Sequence, residues 1–239
     1  MNDFTIKDKY DIYDLKALVS VLRSENGCPW DKVQTHASLR RDFLEECYEV
    51  CEAIDDNDSV HLREELGDVL MHIIFHAGIE EDAGAYNIDD VADEECKKLI
   101  SRHPHVFGDA VARSAEEVLE SWDDIKMRER SQTKVSDVMD GIAKSLPATW
   151  RADKVISKAE KGGFLSKSLD ESMSSIENGL DSLKTASDDD KSAIIGDILF
   201  SAVRAARNAG YDPEELLNLA SDRFIDKIRS CEAGTKEVN

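Results

Sequence analysis

Apolar residues recur every three or four positions along most of the chain, and runs in which β-branched and polar residues alternate are absent. Because this spacing gathers apolar side chains on one face of a helix, it predicts an all-α protein. Helices are predicted at 11–24, 39–55, 60–83, 88–102, 116–129, 146–161, 169–187, 191–208 and 213–232. Long helices with short connections are typical of a bundle of antiparallel neighbours.

Polar segments separate the predicted helices. Each of the four prolines, at positions 29, 104, 147 and 213, fits a helix start or a break between helices. The stretch 130–137 is polar and lacks apolar periodicity, so it predicts a domain boundary. A chain of 239 residues is long enough for two domains of ordinary size. We therefore expect two helical domains, at 1–130 and 138–232.

Four carboxylates stand at helical spacing in two neighbouring predicted helices: Glu46 and Glu49, then Glu65 and Asp68. Each pair spans about one helical turn, so both of its acids project from one side of a helix. Two antiparallel helices joined by the polar turn 56–59 would bring the four acids together. Like charges that close repel unless a cation lies among them. Carboxylate oxygens suit a hard divalent cation, Mg²⁺ above all.

An ordinary solvated acidic face is the alternative interpretation, because Asp and Glu make up 51 of the 239 residues. The neighbours of these acids argue against it. Glu46 and Glu49 lie among apolar residues, and Glu65 and Asp68 directly precede the apolar run 69–75. Carboxylates that border an apolar stripe are expected to be half-buried and to need a partner.

The two predicted domains share a motif inside a long apolar helix. The sequence GDVLM at 67–71 matches GDILF at 196–200, and each helix then ends in an Ala-Gly pair. Such internal similarity indicates that one helical unit occurs twice in the chain.

Most acids of the first copy are missing from the second. The sequence SSIEN at 174–178 stands where the first half has EECYE at 45–49, and Ile194 stands where Glu65 would be. Of the four acids, the second copy keeps one, Asp197. One acid in place of four should not hold Mg²⁺ tightly.

The chain is strongly acidic, since 51 Asp and Glu against 30 Lys and Arg give a net charge of −21. This charge argues against nucleic-acid binding, which needs a basic surface, and against adhesion to anionic membranes. A phosphorylated ligand is still compatible with it. A bound metal ion and a few local cations can reverse the sign of the charge within a site.

The cysteines and the hydropathy pattern predict a soluble, cytoplasmic protein. Five cysteines, an odd number without a C-x-x-C pair, indicate reduced thiols rather than a disulfide framework. Residues 1–10 lack the apolar core of a signal peptide. The longest apolar stretch, 69–79, contains two histidines and is too short to cross a bilayer.

Several further motifs accompany the acids, in the order GCPWDK at 27–32, QTH at 34–36, LEECYEV at 44–50, LREELGD at 62–68, RHPHVFG at 102–108, GIAKSLPA at 141–148 and KGGF at 161–164. This series resembles the MazG-type nucleoside triphosphate pyrophosphohydrolases over nearly the whole chain. One E-x-x-E pair is a weak signal, whereas several motifs in register over the first half are a strong one.

The resemblance implies an all-α fold, a tight homodimer and an Mg²⁺ site formed by two helices, in which Mn²⁺ is a possible substitute. Enzymes of this family cleave (deoxy)nucleoside triphosphates between the α and β phosphates. A metal-activated water attacks the α-phosphorus, and the products are the monophosphate and pyrophosphate. By position, Glu46, Glu49, Glu65 and Asp68 would be the metal ligands. Glu45 is similar to an accessory carboxylate that orients or deprotonates the attacking water.

The triphosphate itself needs cations. Lys98 and Arg102 lie four residues apart on one predicted helix, and family position favours them for this role over an ordinary exposed basic pair. Trp30 is expected either to fill a core or to stack on a nucleobase. Asp31 would cap its turn or contact metal or base. His103 would contact the ligand or stabilise the turn at the proline that follows it.

His72 and His76 are also four residues apart, on the apolar helix 60–83, and imitate a metal-binding pair. The pattern offers no third ligand and an all-oxygen site is already predicted. Packing in the core or at a dimer interface is therefore the interpretation for these two histidines.

The second half departs from the family pattern, which reads Gly-Phe-Asp-Trp where this chain has GFLS at 163–166. Together with the missing acids, this predicts a degenerate second domain that serves packing, dimer formation or regulation. Two alternatives to a general pyrophosphohydrolase stay open. One is a related all-α hydrolase with a narrow substrate such as dUTP, dCTP or phosphoribosyl-ATP. The other is a non-catalytic helical dimerisation or regulatory protein, against which the complete acid set of the first half argues.

Overall fold

A computed structural model describes residues 4–129 and 133–235. Within these ranges the secondary structure is helical and contains no strand, which confirms the all-α prediction. A short 3₁₀ helix at Asp31–Val33 lies between the first two α-helices. The α-helices are α1 (Ile12–Arg23), α2 (His36–Asp55), α3 (Ser59–Asp82), α4 (Ile88–Arg102), α5 (Pro104–Phe107), α6 (Ala115–Glu129), α7 (Val135–Asp140), α8 (Ala148–Lys161), α9 (Leu169–Thr185), α10 (Asp188–Asn208) and α11 (Pro213–Thr235).

Helix α2 begins three residues before its predicted start because Thr35 caps it. The Ser38 backbone N–H donates to Thr35 Oγ1 at 3.2 Å, and the Thr35 backbone N–H donates to Ser38 Oγ at 2.9 Å. This reciprocal pair satisfies donors that the first helical turn leaves without partners. The earlier start places His36 in the first turn of the helix.

The chain divides into two compact units, 1–119 and 120–239. This division falls inside α6 and therefore before the polar stretch 130–137, where the sequence places the domain boundary. Residues 130–132 of that stretch lie outside the described residues, and part of the rest, from Val135, forms α7. The separate roles given to 1–130 and 138–232 stay predictions.

In the first unit, α2 and α3 are antiparallel neighbours joined by a tight turn. Asp58 begins α3 as its N-cap, and its side chain accepts from the backbone N–H groups of Val60 and His61 at 2.9 and 3.1 Å. Asn57, with a φ of 54°, reverses the chain just before it. The core beneath the pair is formed by Val19, Leu39, Ile74 and Phe75. The C-terminal half of α2 thus lies beside the N-terminal half of α3.

The second unit repeats this arrangement with α9 and α10. Helices α3 and α10 end in the same way, at Gly84 and Gly210, whose φ values are +72° and +85°. In both, the residue after the glycine donates its backbone N–H five residues back, at 3.0 Å. This is the glycine-terminated cap that commonly closes a helix, so the repeat seen in the sequence is also present in the backbone.

Helices α9 and α10 approach closely at Gly179. A Cβ atom on this glycine would lie 2.6 Å from Ile198 Cγ1, closer than such atoms come in real proteins. Helix α10 is also tied to α8 by Arg207, whose guanidinium donates to Asp153 Oδ1 at 2.8 Å and to Glu160 Oε2 at 3.0 Å. Apolar contact between α9 and α10 and two ion pairs between α10 and α8 therefore connect the helices of this unit.

All five cysteines have free thiols in the structure. Among the described residues, no helix combines the length and the apolar character that crossing a membrane requires.

Candidate metal and nucleotide site

Three of the predicted carboxylates meet between α2 and α3. Glu46, Glu49 and Glu65 each contribute a carboxylate oxygen to a group whose members lie within 4.8 Å of one another. Glu46 and Glu49 are half-buried, and Glu65 is only 6% exposed. The spacing of three residues along α2 puts its two acids on one side, and the tight turn at Asn57 presents α3 to that side.

The cluster is electrostatically strained without a cation. Burial raises the pKa of Glu46 to about 7, with further contributions from a hydrogen bond to Glu49 and from the charges of Asp68, Glu49 and Glu65. Burial likewise raises the pKa of Glu65, followed by the charge of Glu49 and a hydrogen bond to it. A carboxyl group that hydrogen-bonds another must carry the proton that it donates. Glu46 is thus partly protonated at neutral pH.

Asp68 lies at the edge of this group. It is half-buried, and its negative charge raises the pKa of both Glu46 and Glu65. The three closest acids do not include it. The structure therefore gathers all four predicted ligands in one region, with three in immediate contact and Asp68 next to them.

His61 is a member of the site that the sequence reasoning missed. His61 Nε2 lies 3.1 Å from Glu65 Oε1. Glu65 follows His61 by about one turn of α3. The sequence did contain an indication of this contact, because His61 stands four residues before a predicted ligand and side chains at this spacing meet on a helix. His61 gives Glu65 a polar partner that a metal ion would have to share or displace.

Glu45 faces a different surface of α2. It is exposed and lines an open cleft of about 350 Å³ with Arg41, Leu44, Tyr48, Glu49 and Glu52. Glu49 belongs both to this cleft and to the carboxylate cluster. A ligand in the cleft would therefore lie beside the cluster, in contact with Glu45 and with Arg41, a cation that the sequence reasoning did not select.

Lys98 and Arg102 differ in their surroundings. Lys98 is exposed, forms an ion pair with Glu95 and lines a cleft that also contains Asp90 and Glu94. Arg102 is buried, with 8% of its surface exposed. The two side chains thus do not form an ordinary exposed basic pair, and their part in triphosphate binding stays a prediction.

Trp30 is exposed over 59% of its surface, so it does not fill the core. It lies directly before the 3₁₀ helix that Asp31 begins, and its carbonyl accepts from Gln34 Nε2 at 3.1 Å. The half-buried Asp31 accepts the Gln34 backbone N–H through its own carbonyl at 3.2 Å, not through its carboxylate. The loop therefore presents an indole face and a carboxylate that are both available to a ligand.

His103 stabilises the turn between α4 and α5. Its Nδ1 lies 2.6 Å from the carbonyl oxygen of Leu99, which can only accept, so this nitrogen carries the proton. The His103 ring also tilts against the ring of His105, with centroids 5.6 Å apart. The expected role in the turn at Pro104 is thus visible, whereas a contact with ligand stays a prediction.

The corresponding region of the second unit has different chemistry. Asp197, the counterpart of Asp68, is exposed, and Ile194 is half-buried at the position that corresponds to Glu65. Within the described ranges, the close group of acids in the first unit has no equivalent between α9 and α10. The second unit keeps the helix pair without the ligand set.

The described residues thus combine an all-α fold with a cluster of carboxylates between two neighbouring helices. A model of the MazG nucleotide pyrophosphohydrolase domain matches residues 34–107, which include all four acids. The nucleoside triphosphate pyrophosphohydrolase/pyrophosphatase MazG of Thermotoga maritima is 39% identical over 220 residues, 92% of this chain and 84% of that protein. The nucleoside triphosphate pyrophosphohydrolase of Escherichia coli K12 is 37% identical over 214 residues, 87% of this chain and 81% of that protein. The chain therefore belongs to the MazG family.

Another relative is considerably longer. The uncharacterised protein YabN of Bacillus subtilis is 38% identical over 233 residues, which are 95% of this chain but 47% of YabN. The chain thus spans about half the length of that relative.

Proposed function

We propose that this chain hydrolyses (deoxy)nucleoside triphosphates to the monophosphate and pyrophosphate in an Mg²⁺-dependent reaction. The observation that carries the proposal is the group of Glu46, Glu49 and Glu65, three carboxylates from two helices within 4.8 Å. Family membership supports the same reaction, because similar proteins over most of the chain are named for it.

The donor set suits Mg²⁺, with Mn²⁺ as a substitute. It consists of carboxylate oxygens, the ligands that hard divalent cations prefer. Burial raises the pKa of Glu46 and of Glu65, and the charges of the neighbouring acids raise it further; a cation among these oxygens would offset both effects. Glu46, Glu49, Glu65 and Asp68 would hold the ion, which when bound neutralises phosphate oxygens and acidifies a water molecule.

The remaining steps depend on the chain's own residues. Water attacks the α-phosphorus in line, the bond to the β-phosphate oxygen breaks, and pyrophosphate leaves. Glu45, exposed in the cleft that Glu49 also lines, accepts the proton of the attacking water. Arg41 in the same cleft, with Lys98 and Arg102 of α4, supplies positive charge for the triphosphate, and Trp30 and Asp31 contact the base.

The proposal also covers the role of the second unit and the cellular setting of the protein. Because Ile194 and the exposed Asp197 cannot replace the cluster, activity resides in the first unit, and the second serves packing, homodimer formation or regulation. The five free thiols suit a reducing, cytoplasmic setting.

The experiment is an incubation of the purified chain with each nucleoside and deoxynucleoside triphosphate and Mg²⁺, with pyrophosphate and orthophosphate assayed separately. Pyrophosphate in equal amount to monophosphate supports the proposal. Orthophosphate release, or no turnover of any of these nucleotides, would refute it.

A further inference from the structure

His61 connects the turn between α2 and α3 to the carboxylate cluster. Its backbone N–H donates at 3.1 Å to Oδ1 of Asp58, the residue that caps α3. Its ring nitrogen Nε2 lies 3.1 Å from Glu65 Oε1. Because an ionised carboxylate can only accept, Nε2 donates its proton in this contact. The capped first turn of α3 therefore fixes the backbone of His61, and the side chain of His61 in turn holds Glu65.

Glu65 is the one acid of the close group that α3 supplies, whereas Glu46 and Glu49 both come from α2. A glutamate side chain has three rotatable bonds, and fixing them when a ligand binds costs conformational entropy. A hydrogen bond that already fixes the carboxylate removes part of this cost before a metal ion binds. The contact with His61 thus prepares the α3 side of the site.

Other contacts fix the two helices against each other at the end of the pair away from the turn. His36 Nδ1 of α2 lies 2.8 Å from His76 Nδ1 of α3, and His36 Nε2 lies 2.7 Å from Glu80 Oε1. The buried His72 and the half-buried His76 both pack against Phe43, with ring centroids 5.9 and 5.8 Å from it. A substitution in the first turn of α3 should therefore alter a side-chain contact and leave the pairing of the helices intact.

We propose that His61 is a positioning residue for the metal site, and that its hydrogen bond holds the Glu65 carboxylate beside Glu46 and Glu49 when the ion is bound. This inference rests on the proposed function, because it concerns the same ion. A carboxylate has two oxygens, so it can accept from His61 and still serve a metal ion. Residues that hold a metal ligand in this way typically account for about 10- to 100-fold in metal affinity.

The test is the binding of Mn²⁺ to the metal-free chain without nucleotide, followed by the electron paramagnetic resonance signal of the free ion. We expect His61→Leu to bind Mn²⁺ about 10- to 100-fold more weakly than the wild type. His61→Gln, whose amide can still donate to a carboxylate one turn later, should recover part of the affinity. Because the His61 side chain is 38% exposed, both variants should fold, with melting temperatures of the metal-free proteins close to that of the wild type.

Two control variants separate positioning from charge and from general packing. Arg63→Gln removes a full positive charge at an exposed position two residues from His61. His36→Ala removes a contact between the same two helices. Both controls should bind Mn²⁺ nearly as tightly as the wild type. The proposal would be overturned by an unchanged affinity in His61→Leu, or by an equal loss of affinity in either control.

A pulsed resonance spectrum of the wild type with bound Mn²⁺ tests whether His61 is itself a ligand. Nitrogen coupling that disappears in His61→Leu would show direct ligation and would overturn the positioning role. Saturating Mg²⁺ should restore the kcat of His61→Leu for pyrophosphate release, because the residue acts on metal affinity and not on the reaction. A kcat that stays low at saturating Mg²⁺ would also contradict this role.

Failure of this inference can be distinguished from failure of the proposed function. If the wild type neither binds Mn²⁺ nor releases pyrophosphate, the proposed function is wrong and the role of His61 is wrong with it. If the wild type does both and His61→Leu binds Mn²⁺ equally tightly, the role of His61 alone is wrong.

Discussion

Glu46 and Glu65 come from different helices, yet carboxylate oxygens of the two lie within 4.8 Å of each other. Glu49 links the two residues, because its carboxyl group forms a hydrogen bond with Glu46 and another with Glu65. Without a cation, this contact is possible because protons remain on carboxyl groups whose pKa is raised. A metal ion and a proton therefore compete for the same oxygens, and several predictions about this site derive from that competition.

Glu46 should make the stability of the metal-free protein depend on pH. Its pKa of about 7 in the folded protein lies above the ordinary value of 4.5, so the folded state binds this proton more tightly than the unfolded chain does. The resulting stabilisation is fully present below the ordinary value and is lost as the pH rises through about 7. We expect calorimetry of the metal-free protein to give a lower melting temperature at pH ~8 than at pH ~6.

Mg²⁺ should reverse this loss, because it replaces the proton among the same oxygens. Its affinity should increase by up to about tenfold per pH unit below the pKa of Glu46. Isothermal titration of wild type and Glu46→Gln measures this, since the variant has no proton to lose at that position. If the wild type bound Mg²⁺ equally tightly at pH ~6 and at pH ~8, the proton would not compete with the metal ion for these oxygens.

Trp30→Ala should impair nucleotide binding without unfolding the protein. The indole is 59% exposed, so its loss removes little core packing, whereas a base stacked on it is worth about 1–3 kcal/mol. We expect KM to rise about 5- to 150-fold at nearly constant melting temperature. Trp30→Phe, which keeps an aromatic face, should recover most of the binding. An unchanged KM in Trp30→Ala would remove this residue from the nucleotide site.

Gly27→Ala should disturb the loop that carries Trp30. A Cβ atom at Gly27 would lie 2.3 Å from the carbonyl oxygens of both Val21 and Leu22, so the backbone must move. Urea unfolding should show that the free energy of unfolding falls by about 1–3 kcal/mol. In the matched control Gly196→Ala, a Cβ meets nothing within 4 Å, and a gain of about 0.5–1 kcal/mol is expected inside a helix. Equal effects of the two substitutions would contradict the steric argument.

Arg207→Ala should destabilise the second unit and spare catalysis. Its loss leaves the Glu160 carboxylate, whose side chain is 1% exposed, without its cation. Breaking such a pair costs about 3 kcal/mol or more, whereas Lys191→Ala, which removes an exposed pair with Asp188, should cost less than about 1 kcal/mol. Denaturant unfolding measures both. A folded Arg207→Ala protein with greatly reduced kcat would show that the second unit takes part in the reaction.

The sequence was sufficient for the long helices, because these depend on local spacing, whereas the short helices α5 and α7 were not predicted. The three- and four-residue periodicity located α3 and α4 to within a residue or two. The same spacing selected Glu46, Glu49 and Glu65 before any contact between helices was known. The repeated motif at 67–71 and 196–200 likewise corresponds to helices that end in the same cap.

Other features depend on contacts that the linear pattern does not contain. His36 and His76 are 40 residues apart, and their meeting requires both the antiparallel packing of α2 on α3 and the early start of α2 at Thr35. The burial of Arg102 and the exposure of Trp30 depend on tertiary packing, so spacing alone left both undecided. The division inside α6 likewise reflects contacts between residues, whereas the boundary predicted at 130–137 reflects polar composition.

The central claim is that activity rests on the first of two related units. The most direct measurement is the rate of pyrophosphate release by Glu49→Gln and Asp197→Asn at saturating Mg²⁺. Glu49→Gln should lose at least about 100-fold, more than substitutions beyond a metal's own ligands usually cause. Asp197→Asn, an equally small change at an exposed position, should leave the rate nearly unchanged. Inactivation by Asp197→Asn with an active Glu49→Gln would contradict the account.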